Sequence, residues 1–579
     1  MSGVQPVTLT NTGNGPLNIT SIFPASAGGN FAQTNNCGST VNAGASCTLN
    51  VSFTPRATGM VSGAITISDD APGSPQTVML SGTGIGGTNN NPIFIALTQG
   101  LDGNLYGTAS YGGTLHGGTV FKVTPAGTIT TIYNFDPSQG SAPLAGLVLG
   151  TDGNFYGTTS QGGGLYNAGT VFQITPAGVL TTLHTFQSTD GFGLQAALVE
   201  GTDGKFYGTT TYGGLYGQGT IFRISSAGLF TTVHHFRYLS SPVAALVEGR
   251  DGNFYGATAA GGPCCGVIFA ISPDGLLTSV HEFDRADGAH PEAALVLAND
   301  GKFYGTTPAG GASGYGTVFR LGAFNVGGFT TVHSFAYAEG YEPAAGLIQA
   351  SDGNFYGTTL QEGASGCGTL FRMTPGGAVT VLHNFDCYLE GGTYGRPVQH
   401  TNGKLYATNG RGQVFSLDVG LAPFMKTLPT SGVLGAPVTI LGANLTGATS
   451  VSFNGTAAPF TVVSDTEITT TVPAGATTGK VKVVTPSGTL LSDLNFGVAP
   501  SISGFSPTSG PAGTSVLITG QSFAGVTRVA FGNFKATSFS VKSSTQIIAT
   551  VPRTAKTGKI TVTTTGGTAI SAGAFTVTP

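Results

Sequence analysis

Tryptophan is absent from this chain of 579 residues, and charge is scarce: 22 Lys and Arg and 26 Asp and Glu make up 8% of it, against roughly 25% in an ordinary soluble domain. The basic residues form no run and the net charge is only −4, so the electrostatic footprint of a nucleic-acid binder is missing. No apolar stretch reaches the ~18 residues of a membrane-spanning helix, and no long stretch has helical periodicity. GxSxG, HExxH and Walker patterns are lacking. "GQGT" and "GYGT" lead into strands, not helices, and so are no phosphate cradle. Without Trp the best sugar-stacking ring is gone, which leaves Tyr for that role. The opening "MSGVQPVTLTNTG" has neither the basic nor the apolar region of a signal peptide.

What is present is glycine, 94 residues, in a chain that is 40% hydrophobic. That is too apolar for disorder and suits short strands joined by Gly-rich turns. The length implies several domains. Six cysteines form three close pairs. Cys367 and Cys387 flank "GTLFRMTPGGAVTVLHNFD", a hairpin whose turn lies midway, so the two sulfurs should face each other within disulfide reach. Cys37 and Cys47 flank "GSTVNAGAS" in the same way. Cys264 and Cys265 are adjacent and form either a vicinal disulfide or two thiols. No CxxC spacing or His cluster accompanies them, so no metal site is read. Bridged hairpins imply an oxidising compartment. The expectation is an exported protein, extracellular or on the cell surface, whose export signal has been lost by N-terminal truncation.

"DGNFYGTT" and close variants recur, with the acid at Asp102, Asp152, Asp203, Asp251, Asp300 and Asp352 and Asn402 in a seventh place. The period of about 50 is that of a propeller blade. The unit starting at Pro343 divides into four strands, "AGLIQA", "NFYGTT", "GTLFRMT" and "AVTVLHNF", with Asp-Gly closing the first hairpin and "TPGG" the last. Seven such units predict a seven-bladed β-propeller over 92–420. Its seventh blade should have three strands of its own, because "APFMKTLPTSG" replaces the expected outer strand. A fourth would have to come from "GIGGTNNN" or stay absent.

The motif "DGNFYGTT…GG…GTVFxITPAG…TTxHxF" resembles the Gloeo-Verruco tandem repeats of bacterial choice-of-anchor surface proteins. The resemblance covers more than half the chain and implies surface or secreted proteins. Residues 421–497 and 498–579 are copies of each other. Their "PTSG" openings, "TVP" elements at Pro473 and Pro552 and closing Phe496 and Phe575 resemble IPT/TIG domains, which are immunoglobulin-like β-sandwiches. Some relatives contact DNA, but basic residues are too few here to carry that role over. Residues 1–86, with "VTLTNTGNGPLNITSI" and "CTLNVSFTPRATGMVSG", resemble the immunoglobulin-like domain of abnormal-spindle and Hydin proteins, without its usual first strand. The fold class expected is therefore all-β, a propeller flanked by β-sandwiches.

Chemistry has two repeated candidates. His184, His234, His281, His333 and His383 share one slot on the outermost strand, with Tyr133 in the first unit. On separate blades they cannot converge on one metal at ~2 Å, so they are read as packing residues. The repeated Asp supplies one carboxylate per turn, too few for calcium. No cofactor and no metal site is expected. Variable loops are more informative: "DPSQGSAP", "QSTDGFGLQ", "RYLSSP", "DRADGAHP", "AYAEGYEP" and "DCYLEGGTYGRP" connect successive units. They share one face with the loops between second and third strands and carry the candidate ligand-binding residues: Tyr166, Asp190, Phe192, Tyr216, Arg237, Tyr238, Asp287, His290, Tyr341, Glu342, Tyr394 and Arg396. Loops on a rigid scaffold are where binding residues gather. The expected function is a non-catalytic extracellular binding or adhesion protein, its partner a glycan or a surface protein, with the immunoglobulin-like domains as spacers. Two alternatives use the same modules: a secreted polysaccharide-active enzyme with Asp287, Glu342 and Glu390 at the channel mouth, and a purely structural surface-layer or stalk component. Oligomeric state is not legible.

Overall fold

The computed structural model describes all residues except 1–4, 27–30, 54–58, 85–95, 238–240, 323–327, 388–389, 394 and 411. The described chain is all-β apart from one short 3-10 turn, Tyr337–Glu339. The repeats form seven consecutive antiparallel sheets. In the second, Val148–Leu149, Phe155–Thr159, Thr170–Ile174 and Leu180–Thr185 hydrogen-bond in chain order. The first of the four is only two residues long, shorter than the sequence pattern implies, while the second is buried at every position. The seventh sheet has three strands, Val398–Gln399, Leu405–Thr408 and Val414–Leu417. The stretch proposed for a fourth lies, beyond Gly84, outside the described residues.

The repeated wording is a hydrogen-bonding and packing unit. In the second sheet the turn glycine Gly153 has φ 81°, a conformation that glycine adopts without strain. Asp152 Oδ1 accepts from the Asn154 backbone N–H at 3.0 Å, and Oδ2 accepts from the Tyr156 hydroxyl at 2.7 Å. The same acid–tyrosine bond joins Asp102 to Tyr106, Asp203 to Tyr207, Asp251 to Tyr255, Asp300 to Tyr304 and Asp352 to Tyr356, all within 2.7–3.0 Å. Each tyrosine is fully buried, so its hydroxyl needs that partner. Burial and the Asp203 carboxylate push the Tyr207 hydroxyl up to about 12. The tyrosine ring then lies on the next sheet's phenylalanine: Tyr156 on Phe206 at 3.8 Å, Tyr207 on Phe254 at 4.0 Å and Tyr304 on Phe355 at 4.2 Å between centroids. Gly157 is required because a Cβ there would stand 2.6 Å from Phe172 Cζ and 2.8 Å from Leu147 Cδ2.

The N-terminal part forms two sheets, one of three and one of four strands, around a core containing Cys37, Cys47, Leu49, Val51 and Ile65. Each C-terminal copy is a sandwich of two main sheets. In both, the closing phenylalanine meets the one before the "NG" or "GN" turn edge-on, Phe496 on Phe453 at 5.0 Å and Phe575 on Phe531 at 5.2 Å. Cys37–Cys47 and Cys367–Cys387 are paired as expected, and of the two states left open for the adjacent Cys264 and Cys265 the structure has the disulfide.

The C-terminal sandwiches sit against the Asp-Gly turns. Thr466 Oγ1 donates to Leu101 O at 2.6 Å, Asn299 Nδ2 to Asp493 O at 3.0 Å and Thr401 Oγ1 to Gly442 O at 3.1 Å. The second sandwich receives Arg250, whose guanidinium donates to Thr565 O at 2.7 Å. The variable loops lie at the opposite ends of the strands.

Replacing Gly157 by alanine should destabilise the chain by about 1–3 kcal/mol, the cost of overpacking a filled core, read as a lower urea midpoint. The same change at Gly301, where a Cβ meets nothing within 4 Å although φ is 76°, tests backbone strain alone and should cost less.

Candidate ligand-binding face

Short bridges tie four of the connections between sheets to the loop after the next sheet's second strand: Ser141 to Gln161, Phe192 to Tyr212, Ala289 to Ala309 and Tyr341 to Gln361. These two loop sets therefore share one face, and exposed large side chains collect there. Leu165 is 98% exposed and Leu215 70%, with Tyr111, Tyr166, Phe192, Tyr212, Tyr216 and Tyr337 between 40% and 63%.

Two aromatic groups are organised. Between the fifth and sixth sheets Tyr315, Tyr337 and Tyr341 surround one another at 5.4–6.2 Å between centroids. The Tyr341 hydroxyl donates to Gln361 Oε1 at 2.8 Å, and Gln361 Nε2 donates to Glu342 at 2.6 Å. A hydrogen bond to Glu362 raises the Tyr337 pKa, and burial raises that of Tyr341. Near the second and third sheets Phe192 and Tyr212 lie 5.5 Å apart. Tyr216 carries the Arg237 guanidinium 4.4 Å above its ring, and the same arginine's Nη2 donates to the Tyr216 hydroxyl. Tyr166 is exposed alone; His290, at φ 59°, is held by its ring Nδ1 on Ala259 O at 2.9 Å and by its N–H on Cys265 O. Tyr238 and Tyr394 lie outside the described residues.

Asp190 and Asp287, two of the candidate ligand-binding residues, are each paired with a histidine. His184 Nε2 and Asp190 Oδ2 are 2.8 Å apart, and the pattern repeats in His281–Asp287 at 2.7 Å, His333–Glu339 at 3.0 Å and His383–Glu390 at 3.0 Å. Each acid also accepts a backbone N–H at the start of its own loop, as Asp190 does from Gln187 and Glu390 from Asp386. His184 and His281 stack on Phe230 and Phe329 of the following unit at 3.8 and 3.6 Å. These histidines are on the fourth strands of their sheets, so Asp287 and Glu390 tie the following loops to those strands. Among the described residues no group of His, Cys, Asp and Glu could hold a metal ion.

Arg396 stands apart. It stands two residues before the first strand of the seventh sheet, is exposed to solvent, and has no hydrogen-bond or ion-pair partner among the described residues. Protein surrounds it on enough sides for desolvation to lower its pKa. Sequence reasoning missed Tyr212, Tyr315, Tyr337 and Gln361. Aligning the units could have found them, since Tyr212 and Gln361 occupy one slot that Ala309 fills elsewhere.

Architecture and loops define an all-β repeat protein with immunoglobulin-like modules at both ends. The Gloeobacter/Verrucomicrobia repeat model matches residues 57–262 and 237–419, more than half the chain. The chain belongs to that repeat family. The IPT/TIG domain matches 424–497 and 500–578, and the HYDIN/CFA65/VesB-like Ig-like domain 4–83. No curated protein matches. Similar solved structures include SGBP-B from a xyloglucan utilization locus of Bacteroides uniformis (26% identity, 26% of this chain and 48% of that one, TM-score 0.14). A surface glycan-binding protein from Prevotella bryantii (23%, 25% and 38%, 0.20) and a fungal alcohol oxidase of the AA5 family (15%, 71% and 100%, 0.42) are also similar. The chain thus spans about half the length of the first of these.

The clamp predicts an acid limb. Burial alone would raise the Glu390 pKa, but the His383 hydrogen bond and charge and the Asp386 N–H together hold it below the usual value of 4.5. A depressed carboxyl contributes stability above its unfolded pKa and loses it as pH falls through the folded one. Urea unfolding of wild type between pH 6 and 3 should show this loss; Glu390→Gln should be less stable at pH 6 and flatter below pH 4.5.

Proposed function

We propose that the seven sheets close into a seven-bladed β-propeller over 92–420, and that the chain is a non-catalytic binding protein for glycans outside the cell or on its surface. Closure is supported by bonds that join the first sheet to the seventh as others join neighbours. Glu200 accepts from Thr151 and Glu248 from Thr202, while Gln399 accepts from the Ser351 N–H. In the same slot Gln99 of the first sheet accepts from the Thr401 N–H at 3.1 Å. Tyr406 likewise packs with Leu105 and Phe121 of the first sheet.

The observation that carries the binding reading is the concentration of exposed aromatic rings on the loop face, with polar groups fixed beside them. A ring that keeps one face in water and is braced by a neighbour offers apolar area at low entropic cost, and the adjoining amide and carboxylate supply orientation. Tyr337, Tyr341, Gln361 and Glu342 are such a set. The sandwiches 421–497 and 498–579 occupy the turn face, which leaves the loop face for a ligand; with residues 1–86 they serve as base and spacer. The disulfides fit an oxidising compartment. The enzyme alternative loses two of its three named acids to histidine clamps.

A glycan array probed with the full chain should retain at least one oligosaccharide class, and Tyr337→Ala should weaken that binding about tenfold without lowering the melting temperature, since the ring is half in solvent. Absence of any retained glycan, or release of reducing sugar from a bound one, would overturn the reading.

A further inference from the structure

The innermost strands are in register. Val398 pairs with Tyr406 as Val148 does with Tyr156 and Ile348 with Tyr356. Two residues earlier in each unit stand Ala96, Gly146, Ala197, Ala245, Ala294 and Gly346, and in the seventh unit Arg396. Neighbouring strands approach closely at this level: a Cβ on Gly146 would be 3.0 Å from the Ala96 Cβ, and one on Gly346 would be 3.4 Å from Arg396 Cδ. Six units thus contribute no more than a methyl group where the seventh contributes a guanidinium.

At the turn end of the same strands a second cation arrives from the first C-terminal sandwich. Lys426 Nζ donates to Gln399 O at 2.7 Å. Burial lowers the Lys426 pKa and the Arg396 charge lowers it further, while Asp493 partly restores it. Asp493 is shared with Lys480, which donates to its backbone oxygen at 2.6 Å. Asp493 thus answers the two lysines, whereas Arg396, at the loop end, has no ion-pair partner among the described residues.

We propose that Arg396 anchors a carboxylate-binding site in the central channel, entered from the loop face. The inference rests on the ring closure proposed above. A guanidinium that water reaches but protein crowds is open to an arriving anion, which would find no competing acid bonded to it among the described residues. Its planar fork matches the two oxygens of a carboxylate, and the Ala and Gly that the other units keep in this slot offer no competing polar side chain. The shared chemistry is a carboxylate, either the uronate end of an acidic glycan or a free acid.

The test is calorimetric titration of the full chain and its Arg396→Gln and Arg396→Lys variants with trigalacturonate, galacturonate monomer and uncharged galactotriose. A uronate glycan as ligand predicts that Arg396→Gln weakens trigalacturonate binding about tenfold or more, that Arg396→Lys retains part of it, and that galactotriose is unaffected. Equal, Arg396-dependent binding of the monomer supports the site with a free acid as its ligand. If trigalacturonate and galactotriose bind alike and Arg396→Gln changes neither, the carboxylate site is overturned while glycan binding stands. If no sugar binds and the monomer shows no Arg396 dependence, both fail. Because Arg396 has no hydrogen-bond or ion-pair partner among the described residues, Arg396→Gln should melt no lower than wild type, so loss of binding is not loss of fold.

Discussion

The repeat region depends on one relay: a turn aspartate holds the hydroxyl of a buried tyrosine, and that tyrosine's ring is the surface on which the next sheet packs. Neither half works alone. A buried phenol without an acceptor costs a desolvated polar group, and a sheet of four short strands cannot bury its two faces by itself. The relay turns a local turn signal into a contact with the following unit, so the same six-residue phrase both shapes a hairpin and stacks it. The seventh copy keeps the relay in altered form, with Asn402 Nδ2 donating to Tyr406 at 3.2 Å and Tyr406 packing on the first sheet.

Stiffness from this relay decides which parts can carry a ligand. The turn ends are uniform because the aspartates are committed, and they are further covered by Thr466, Asp493 and Thr565 from the sandwiches. The loop ends are held from outside by the histidine–acid clamps. In each clamp one carboxylate ties an outer strand to a loop backbone, and a histidine ring also stacks on the following unit in two of them. The clamp fixes where a loop starts without dictating its middle. Loop length and aromatic content can then vary between units at little cost to packing, as between the short Arg237 connection and the long one preceding Arg396.

Most of the scaffold was legible in the sequence because each device is local. Asp-Gly marks a hairpin, glycine after Phe-Tyr marks close approach, and cysteines equidistant from a turn mark a bridge. The division into four-strand units and the three-strand seventh unit followed from these. The clamps were not legible in the same way. His184 and Asp190 are separated by a loop whose course sets their meeting, and nothing in either residue distinguishes a clamp from a ligand contact. Seating of the sandwiches on the turns was also hidden, because it uses backbone oxygens and small hydroxyls that any surface offers. For the same reason Tyr341 was recognised as a loop residue, but its partners Tyr315 and Tyr337 were not.

Repetition itself bears on where function can reside. A group present in every unit is accounted for by packing that every unit needs, as the tyrosines and aspartates are. A group present once, in a slot the other units keep small, has no such account. Arg396 is that case: the other units keep alanine or glycine at the same register, and among the described residues its guanidinium has no ion-pair or hydrogen-bond partner to lose. Selection for stability alone gives no reason to place a guanidinium there, since crowding by protein costs it part of its hydration with no bond gained among the described residues. The cost is recovered only when something outside the chain supplies the missing anion, which is why the departure from symmetry, rather than the symmetry, points to the ligand.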